Sequence, residues 1–236
     1  MAGAFIEAYV YSEGPATDVA TATLQTVQTL AAYKNSDAST HYARPAAPMR
    51  WTLLLAEWAS QLTTALGFAV GVTYSATTRR ITMTGAATIR PVMVGNGAAF
   101  TGFTQTLTPS AASWVAASAP QGRAELLGVT VEPADDWTHL ELAKYRHGRT
   151  RATAWGNHQI HRVTMYATGD AIATVQAGYL QAGRVRVYQG DGVTEQLPYD
   201  ATTPEGYVDG WVIGCGPGVE QSESLWSWDL LIGVER

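Results

Sequence analysis

The hydrophobic pattern of residues 48–66 predicts the clearest helix of the chain. Its apolar residues recur at steps of three and four, and this spacing places them on one helical face. These residues are Trp51, Leu54, Leu55, Trp58, Leu62 and Leu66. Pro48 suits the first turn of a helix, and Gly67 suits the position just past the last turn. The pattern indicates a helix that packs one face on a core.

The residues after this helix change to a period of two, which is typical of β-strands. Apolar residues alternate with small or polar ones over 68–74 and over 81–84, and a turn-like Ser75-Ala-Thr-Thr78 separates the two runs. Residues 89–94 predict a third strand. A helix that leads into a β-hairpin is therefore expected.

The beginning of the chain predicts one strand and one weaker helix. Residues 5–11 alternate as an opening strand does, and residues 17–33 place Leu24, Val27 and Leu30 at helical spacing among many threonines. Because threonine lowers helix propensity, this helix is less well supported than the one at 48–66.

Short alternating runs separated by glycine-containing turns dominate the second half and indicate an antiparallel β structure. The runs lie at 126–131, 139–145, 150–155, 159–166, 185–188, 207–213 and 225–234. One helix interrupts them at 170–182, with Asp170 placed to cap it and Gly183 placed to end it.

The predicted fold class is therefore α+β, mainly antiparallel β, with two or three amphipathic helices and a β-sandwich-like C-terminal part. Residues 108–121, rich in Ser, Ala and Pro, are the best candidate for a boundary. We accordingly expect a helix-and-hairpin domain over 1–110 and a mainly antiparallel β domain over 111–236.

Composition favours a protein whose surface is partly covered in use. Hydrophobic residues make up 46% of the chain and charged residues only 15%, with 8 Trp and 11 Tyr. Charged residues are depleted and aromatic residues enriched at the centre of protein interfaces. A subunit of an assembly fits this composition better than a freely diffusing enzyme.

The single cysteine excludes an internal disulfide, and the simplest expectation is folding in a reducing cytoplasm. In Gly-Cys215-Gly-Pro-Gly it is expected to be a small buried residue rather than a nucleophile, because no base is placed for it. No secretory signal is visible, and no run of 18 apolar residues predicts insertion into a membrane.

The segment KYRHGRTRATAWGNHQIHR, residues 144–162, concentrates three of the five histidines and five of the 15 Lys and Arg residues. In a chain of net charge −5, we interpret it as a basic hairpin that contacts an acidic patch on a neighbouring subunit. The candidate interface residues are Lys144, Tyr145, Arg146, His147, Arg149, Arg151, Trp155, His158, His161 and Arg162.

Other chemistries suit this segment less well. On a strand, His158 and His161 point to opposite faces, and no carboxylate lies between Glu141 and Asp170, so no metal site and no cofactor is expected. Interleaved aromatic and basic residues leave nucleic-acid binding open as an alternative, although specific binding is not expected. An enzyme would have to combine His147 or His158 with Asp135 or Asp136, adjacent acids that are more typical of a turn.

Two tryptophans in the last predicted strand offer a further alternative. Trp226 and Trp228 share one face with Leu230, Ile232 and Val234. Neighbouring tryptophans can stack on sugars, but continuity with aliphatic residues favours a core position.

Residues 51–103 resemble structural proteins of tailed bacteriophages. The similar features are the helix WTLLLAEWASQLTTALGF, the following VTYSATTRRITMT, and a stretch of small residues that ends in Gly102-Phe103. The resemblance covers about 50 residues and transfers no functional residue. It implies a virion component, synthesised in the cytoplasm of the host bacterium.

We therefore expect a structural subunit of a phage virion and no enzymatic activity. A tail, tail-tip or baseplate component that forms a symmetric oligomer fits best, with copies of itself and other virion proteins as partners. The alternatives are a decoration protein of the capsid and a carbohydrate-binding module that recognises a host-surface glycan.

Overall fold

The structure is a computed structural model that describes residues 3–10, 30–34, 38–43, 49–92, 102–103, 111–134, 158–171, 184–190 and 206–235. The first group of elements is β1 (Phe5–Val10), β2 (Leu30–Lys34), β3 (Ser39–Ala43), β4 (Met49–Arg50), α1 (Trp51–Leu66), β5 (Val70–Ser75) and β6 (Arg80–Val92). The second group is β7 (Ala111–Val115), β8 (Arg123–Glu125), β9 (Gly128–Pro133), β10 (His158–Ala167), β11 (Arg184–Tyr188), β12 (Tyr207–Cys215), β13 (Val219–Ser222) and β14 (Leu225–Glu235).

All described strand pairs are antiparallel and fall into two sheets. The predicted α+β class with mainly antiparallel β structure is confirmed at this level. Helix α1 is the one long helix of the described residues, and a second helix begins at residue 169, at the start of the helix predicted for 170–182. The remainder of that second helix lies outside the described residues.

Helix α1 follows from its sequence pattern. The six apolar positions predicted to share a face are the six that the structure buries: Trp51, Leu54, Leu55, Trp58, Leu62 and Leu66. The helix ends at Gly67, whose φ of 75° is left-handed and whose N–H donates to the Thr63 carbonyl. Glycine adopts this conformation without the steric cost of a Cβ atom. The helix covers one face of the five-stranded sheet.

The five-stranded sheet has the order β3-β2-β6-β5, with β7 on the other side of β6. The predicted hairpin is confirmed as β5 and β6, and the predicted third strand is the continuation of β6. One expectation is wrong. Residues 30–33 are strand β2 rather than the end of a helix, because pairing with β3 and β6 outweighs weak local helix propensity. Residues 111–115, within the stretch that is the candidate for a boundary, form strand β7 and pair with β6.

The nine-stranded sheet closes on itself. Along the sheet the order is β1-β11-β12-β14-β10-β9, and β8 pairs with β1. Only Leu126 and Leu127 separate β8 from β9, and their N–H groups donate to Ala4 and Tyr166 carbonyls at 2.8 and 2.7 Å. Strands β8 and β9 therefore act as two parts of one bent strand that joins the first strand of the sheet to the last. A closed sheet leaves few free edges.

Strands β8 to β14 all lie in the nine-stranded sheet, and the sandwich-like arrangement expected for the C-terminal part stays a prediction. Their inner face is filled by side chains that include Ile6, Val163, Met165, Val187 and Leu230. The strands also cross the boundary expected near residue 110, because β1 lies in the closed sheet and β7 in the five-stranded sheet. The division into two domains stays a prediction.

Candidate assembly surface

The predicted basic segment falls mostly outside the described residues. This applies to Lys144, Tyr145, Arg146, His147, Arg149, Arg151 and Trp155, and to the alternative acids Asp135 and Asp136. The interface hypothesis for these residues stays a prediction.

The end of the segment forms the start of β10, so the predicted strand at 159–166 is confirmed. In register, His158 pairs with Glu235 and His161 with Ile232. His161 is 7% exposed and faces the same side as the core residue Val163, whereas Arg162 is exposed on the outer face. Arg162 can therefore make a surface contact, whereas the buried His161 cannot.

The described residues contain neither a cluster of metal ligands nor a membrane-spanning helix. Within these ranges no three His, Cys, Asp or Glu side chains come close enough to share a metal ion. The described helical residues also contain no apolar helix of membrane-spanning length.

The tryptophans of the last strand lie inside the closed sheet, as their aliphatic neighbours suggested. Trp228 is 1% exposed, and its Nε1 donates to the Gly216 carbonyl at 2.6 Å. Trp226 is partly buried against the same core. This strand face is therefore core and offers no platform for sugars.

The outer face of β1 carries a buried carboxylate that the sequence did not reveal. Glu7 is 0% exposed, and its Oε2 accepts the N–H of Thr52 at 3.0 Å in the first turn of α1. Its Oε1 accepts the Tyr188 hydroxyl at 3.0 Å and lies 3.6 Å from Arg50 Nη1. Helix α1 has no capping side chain and no acid in its first turn. Glu7 therefore supplies from another strand the negative charge that a helix N-terminus favours.

Close packing accompanies this cap. Trp51 is fully buried, and a Cβ atom on Gly122 would lie 1.7 Å from its Cδ1 atom. Only glycine therefore fits beside this indole. The Gly122 carbonyl accepts the N–H of Ala8 at 3.0 Å, so the same loop contacts both α1 and the closed sheet.

A second charged group lies next to this contact on the outer face of the closed sheet. Asp209 accepts from Arg184 Nε at 3.0 Å and from Arg186 Nε at 2.7 Å, and it also accepts the Tyr9 hydroxyl. The guanidinium carbons lie 4.4 Å from the Tyr9 ring centre and 3.9 Å from the Tyr207 ring centre, respectively. Burial, and then the hydrogen bond to Asp209, raise the pKa of Tyr9 to about 12.

These contacts define the junction, by which we mean the outer face of the closed sheet around Glu7, Tyr9, Tyr188 and Asp209 together with α1. Its charges are mutually paired, and Glu7 is sealed from water. Paired and buried charges of this kind hold structural elements together but present no reactive group to a substrate. The junction is a structural contact.

The remaining half of β12 is open to solvent and apolar. Trp211 is 43% exposed and Ile213 is 44% exposed, and Val219 of β13, which follows β12 along β14, is 50% exposed. Leu231 of β14 is partly exposed beside them. We call Trp211, Ile213, Val219 and Leu231 the apolar patch.

Two glycines beside the patch, Gly214 and Gly233, leave the backbone there without side chains. A Cβ atom on Gly233 would lie 3.5 Å from Ile213 Cγ2, and one on Gly214 would lie 3.4 Å from Leu231 Cδ1. The two aliphatic side chains thus lie across bare backbone. The register shift between Val212 and Gly214 is a β-bulge at Ile213, a feature common where a strand re-aims a side chain. Clustered exposed apolar side chains mark binding surfaces more often than scattered ones.

Strand β13 extends this surface beyond β12. All four of its residues, Val219–Ser222, are exposed, and it pairs only with β14 among the described strands. Its other backbone edge can accept a further strand. Cys215, expected to be buried, is exposed at the end of β12.

The apolar patch was missed in the sequence because Trp211, Ile213 and Leu231 alternate as core residues do. A period of two shows that two faces differ, but not which neighbours cover each face. The two glycines beside the patch were the available signal, since Gly214 and Gly233 remove side chains from one face of adjacent strands.

Compared with known proteins, the chain matches no family model, no curated protein and no solved structure.

Proposed function

We propose that this protein is a structural subunit of a tailed-bacteriophage virion, in the tail, tail tip or baseplate, and that it assembles with copies of itself through the apolar patch. The observation that carries the proposal is the exposure of Trp211 and Ile213 on β12 and of Val219 on β13, each between 43% and 50%, on strands that pair with consecutive parts of β14. Burying such side chains between subunits is favourable by about 25 cal/mol per Å² of apolar area.

The charge distribution supports the same function. The described ion pairs are concentrated in and beside the junction, where Glu7, Glu125 and Asp209 engage arginines. The four side chains of the patch are apolar, with the exposed Asp229 and the partly exposed Arg184 at its borders. The core of a protein interface is depleted of charge and rich in aromatic residues. The resemblance of residues 51–103 to phage structural proteins supplies the phage and virion part of the proposal.

The oligomeric mass in solution tests the assembly step. Sedimentation equilibrium of the full chain is expected to show a multimer, and Trp211→Thr or Ile213→Thr is expected to raise its dissociation constant at least tenfold. Leu53→Gln is a matched control, because Leu53 is 48% exposed on α1, away from the patch. A wild-type chain that stays monomeric at the highest soluble concentration would contradict the proposal.

Electron microscopy of the purified multimer separates positions in the particle. A closed ring of fixed rotational symmetry is expected for a tail or tip component. Binding to a head lattice without ring formation would favour the capsid-decoration alternative instead.

One observation favours a carbohydrate-binding module as a second candidate. Trp211 is an exposed aromatic ring on a rigid strand, and such rings can stack on sugars. Binding to a glycan array that disappears in Trp211→Ala, with the chain remaining monomeric, would replace assembly by glycan recognition.

A further inference from the structure

A small cleft lies between the hairpin turn of the five-stranded sheet and the closed sheet. Its volume is about 50 Å³, enough for a group of a few atoms. The lining residues are Tyr74, Arg79, Ala119, Arg123, Ala124, Glu125, Asp170 and Ala171. None of these residues belongs to the apolar patch.

Arg123 is held rigidly at the cleft before any ligand arrives. Its guanidinium carbon lies 3.6 Å from the Phe5 ring centre and 4.9 Å from the Tyr74 ring centre. Its Nε donates to Glu125 Oε1 at 2.8 Å, and the side chain is 11% exposed. The two Nη groups make no hydrogen bond with the described residues. A guanidinium fixed in this way loses little freedom when its remaining donors bind a planar acceptor.

Arg79 brings a second guanidinium to the same cleft from the β5–β6 turn. Its φ of 54° is left-handed, a conformation that residues with a Cβ atom adopt at a cost. Glycine or asparagine would fit this turn position more easily. No described residue forms a hydrogen bond or an ion pair with Arg79. The turn thus places at the cleft a cation that no described residue pairs with, at the expense of backbone strain, a combination that often marks a functional position.

The other charges limit what can bind. Glu125 is engaged by Arg123, and burial followed by the charge of Glu125 raises the pKa of Tyr74, so this hydroxyl stays protonated. Asp170 adds a carboxylate at the rim of the cleft. A doubly charged phosphate would be repelled by these two acids, whereas a single carboxylate matches the planar forks of two arginines.

We propose that the cleft between Arg79 and Arg123 is a binding site for one carboxylate group. The carboxylate comes either from a small free acid or from an acidic side chain of a second copy of this chain. The small volume admits the carboxylate and little else, so the remainder of the ligand stays outside the cleft.

An NMR titration of the full chain with sodium acetate, at constant ionic strength balanced by sodium chloride, tests the site. Backbone amide shifts at Arg79, Arg123 and Ala124 are expected to change and saturate, and Arg79→Gln is expected to weaken acetate binding at least tenfold. Arg80→Gln is the matched control. Arg80 follows Arg79 directly in the sequence, but its Nη1 donates to the Ala116 carbonyl at 3.3 Å, and it does not line the cleft. This control is expected to bind acetate as the wild type does.

Three results would overturn the proposal. They are equal shifts from chloride alone, unchanged acetate affinity in Arg79→Gln, and tighter binding of inorganic phosphate than of acetate. Circular dichroism of each variant shows whether the fold is kept.

Sedimentation of the same variants identifies the source of the carboxylate. Self-association that weakens tenfold in Arg79→Gln and is reduced by acetate supports a side chain of a second copy. Self-association that is unchanged, with acetate still bound, supports a free acid. Because Trp211→Thr leaves the cleft intact, failure of the apolar patch and failure of the cleft are distinguishable.

Discussion

The two halves of the outer face of β12 differ although they belong to one strand. At Tyr207 and Asp209 the face is covered by arginines and by Tyr9. Four residues further along, Trp211 and Ile213 are open to solvent. Arg184 lies at the border, since it pairs with Trp211 in register but binds Asp209. One half stabilises the fold of the chain, and the other half is available to a partner.

Polarity alone does not separate inside from outside in this protein. The covered half is rich in charge, because every charge there has a partner and an aromatic ring beside it. The open half is apolar, and its Trp211 and Ile213 are 43% and 44% exposed. Substitutions in the covered half are therefore expected to reduce the free energy of unfolding, and substitutions in the open half to weaken association between copies.

The largest effect is expected from loss of the buried indole at the junction. Trp51→Ala removes a fully buried ring that contacts Tyr74 edge-on at 5.2 Å and lies against Gly122. The expected cost is about 3–5 kcal/mol in the free energy of unfolding, measured by urea denaturation. The control Leu53→Ala removes a side chain that is 48% exposed and is expected to cost much less. Equal losses from both substitutions would show that the junction does not stabilise the fold.

The second largest effect on stability is expected from removal of the buried charge of Glu7. Glu7→Gln keeps the shape of the side chain but leaves Arg50 without its carboxylate and weakens the cap on α1. The expected loss is about 2–3 kcal/mol in urea denaturation. Glu132→Gln, on the exposed part of β9, is the matched control and is expected to change stability by less than about 0.5 kcal/mol. An unchanged free energy of unfolding in Glu7→Gln would mean that the cap does not stabilise the fold.

Alkaline pH is expected to weaken the covered half through Tyr9. The pKa of Tyr9 in the folded chain is about 12, above the ordinary value of 10.0. The unfolded chain therefore releases this proton first, so the stabilisation is fully present below pH 10 and is lost as the pH rises from 10 to 12. The contribution is roughly 2 kcal/mol.

The Tyr9→Phe variant isolates this effect. Urea denaturation at several pH values is expected to show a smaller loss of stability between pH 10 and 12 in Tyr9→Phe than in the wild type. If the free energy of unfolding falls equally with pH in the two proteins, ionisation of Tyr9 does not cause the loss of stability.

The smallest effect on stability is expected in the open half. Trp211→Thr and Ile213→Thr change side chains that are already 43% and 44% exposed, so each is expected to cost less than about 1 kcal/mol in urea denaturation of the dilute monomer. The same substitutions are expected to weaken association at least tenfold. A loss of several kcal/mol in the monomer would place these residues in the fold rather than at an interface.

The sequence pattern predicts burial correctly where a residue's environment follows from the periodicity of its own helix or strand. Helix α1 buries the six residues that its spacing predicted, and Trp228, Leu230 and Ile232 of β14 lie in the core as their alternation indicated. The pattern failed at residues 30–33, where pairing with two other strands decided the conformation. The candidate basic segment lies largely outside the described residues and gains no support from the patch.

The sequence by itself determined the periods of α1, β10 and β14, because hydrogen bonding and side-chain spacing within an element are local. Contacts between distant segments determine that β8 and β9 close the sheet, that Glu7 caps a helix 45 positions away, and that Trp211 is 43% exposed. These outcomes depend on which distant segments meet. An alternating strand shows the same pattern whether a neighbour covers its second face or leaves it open to a partner.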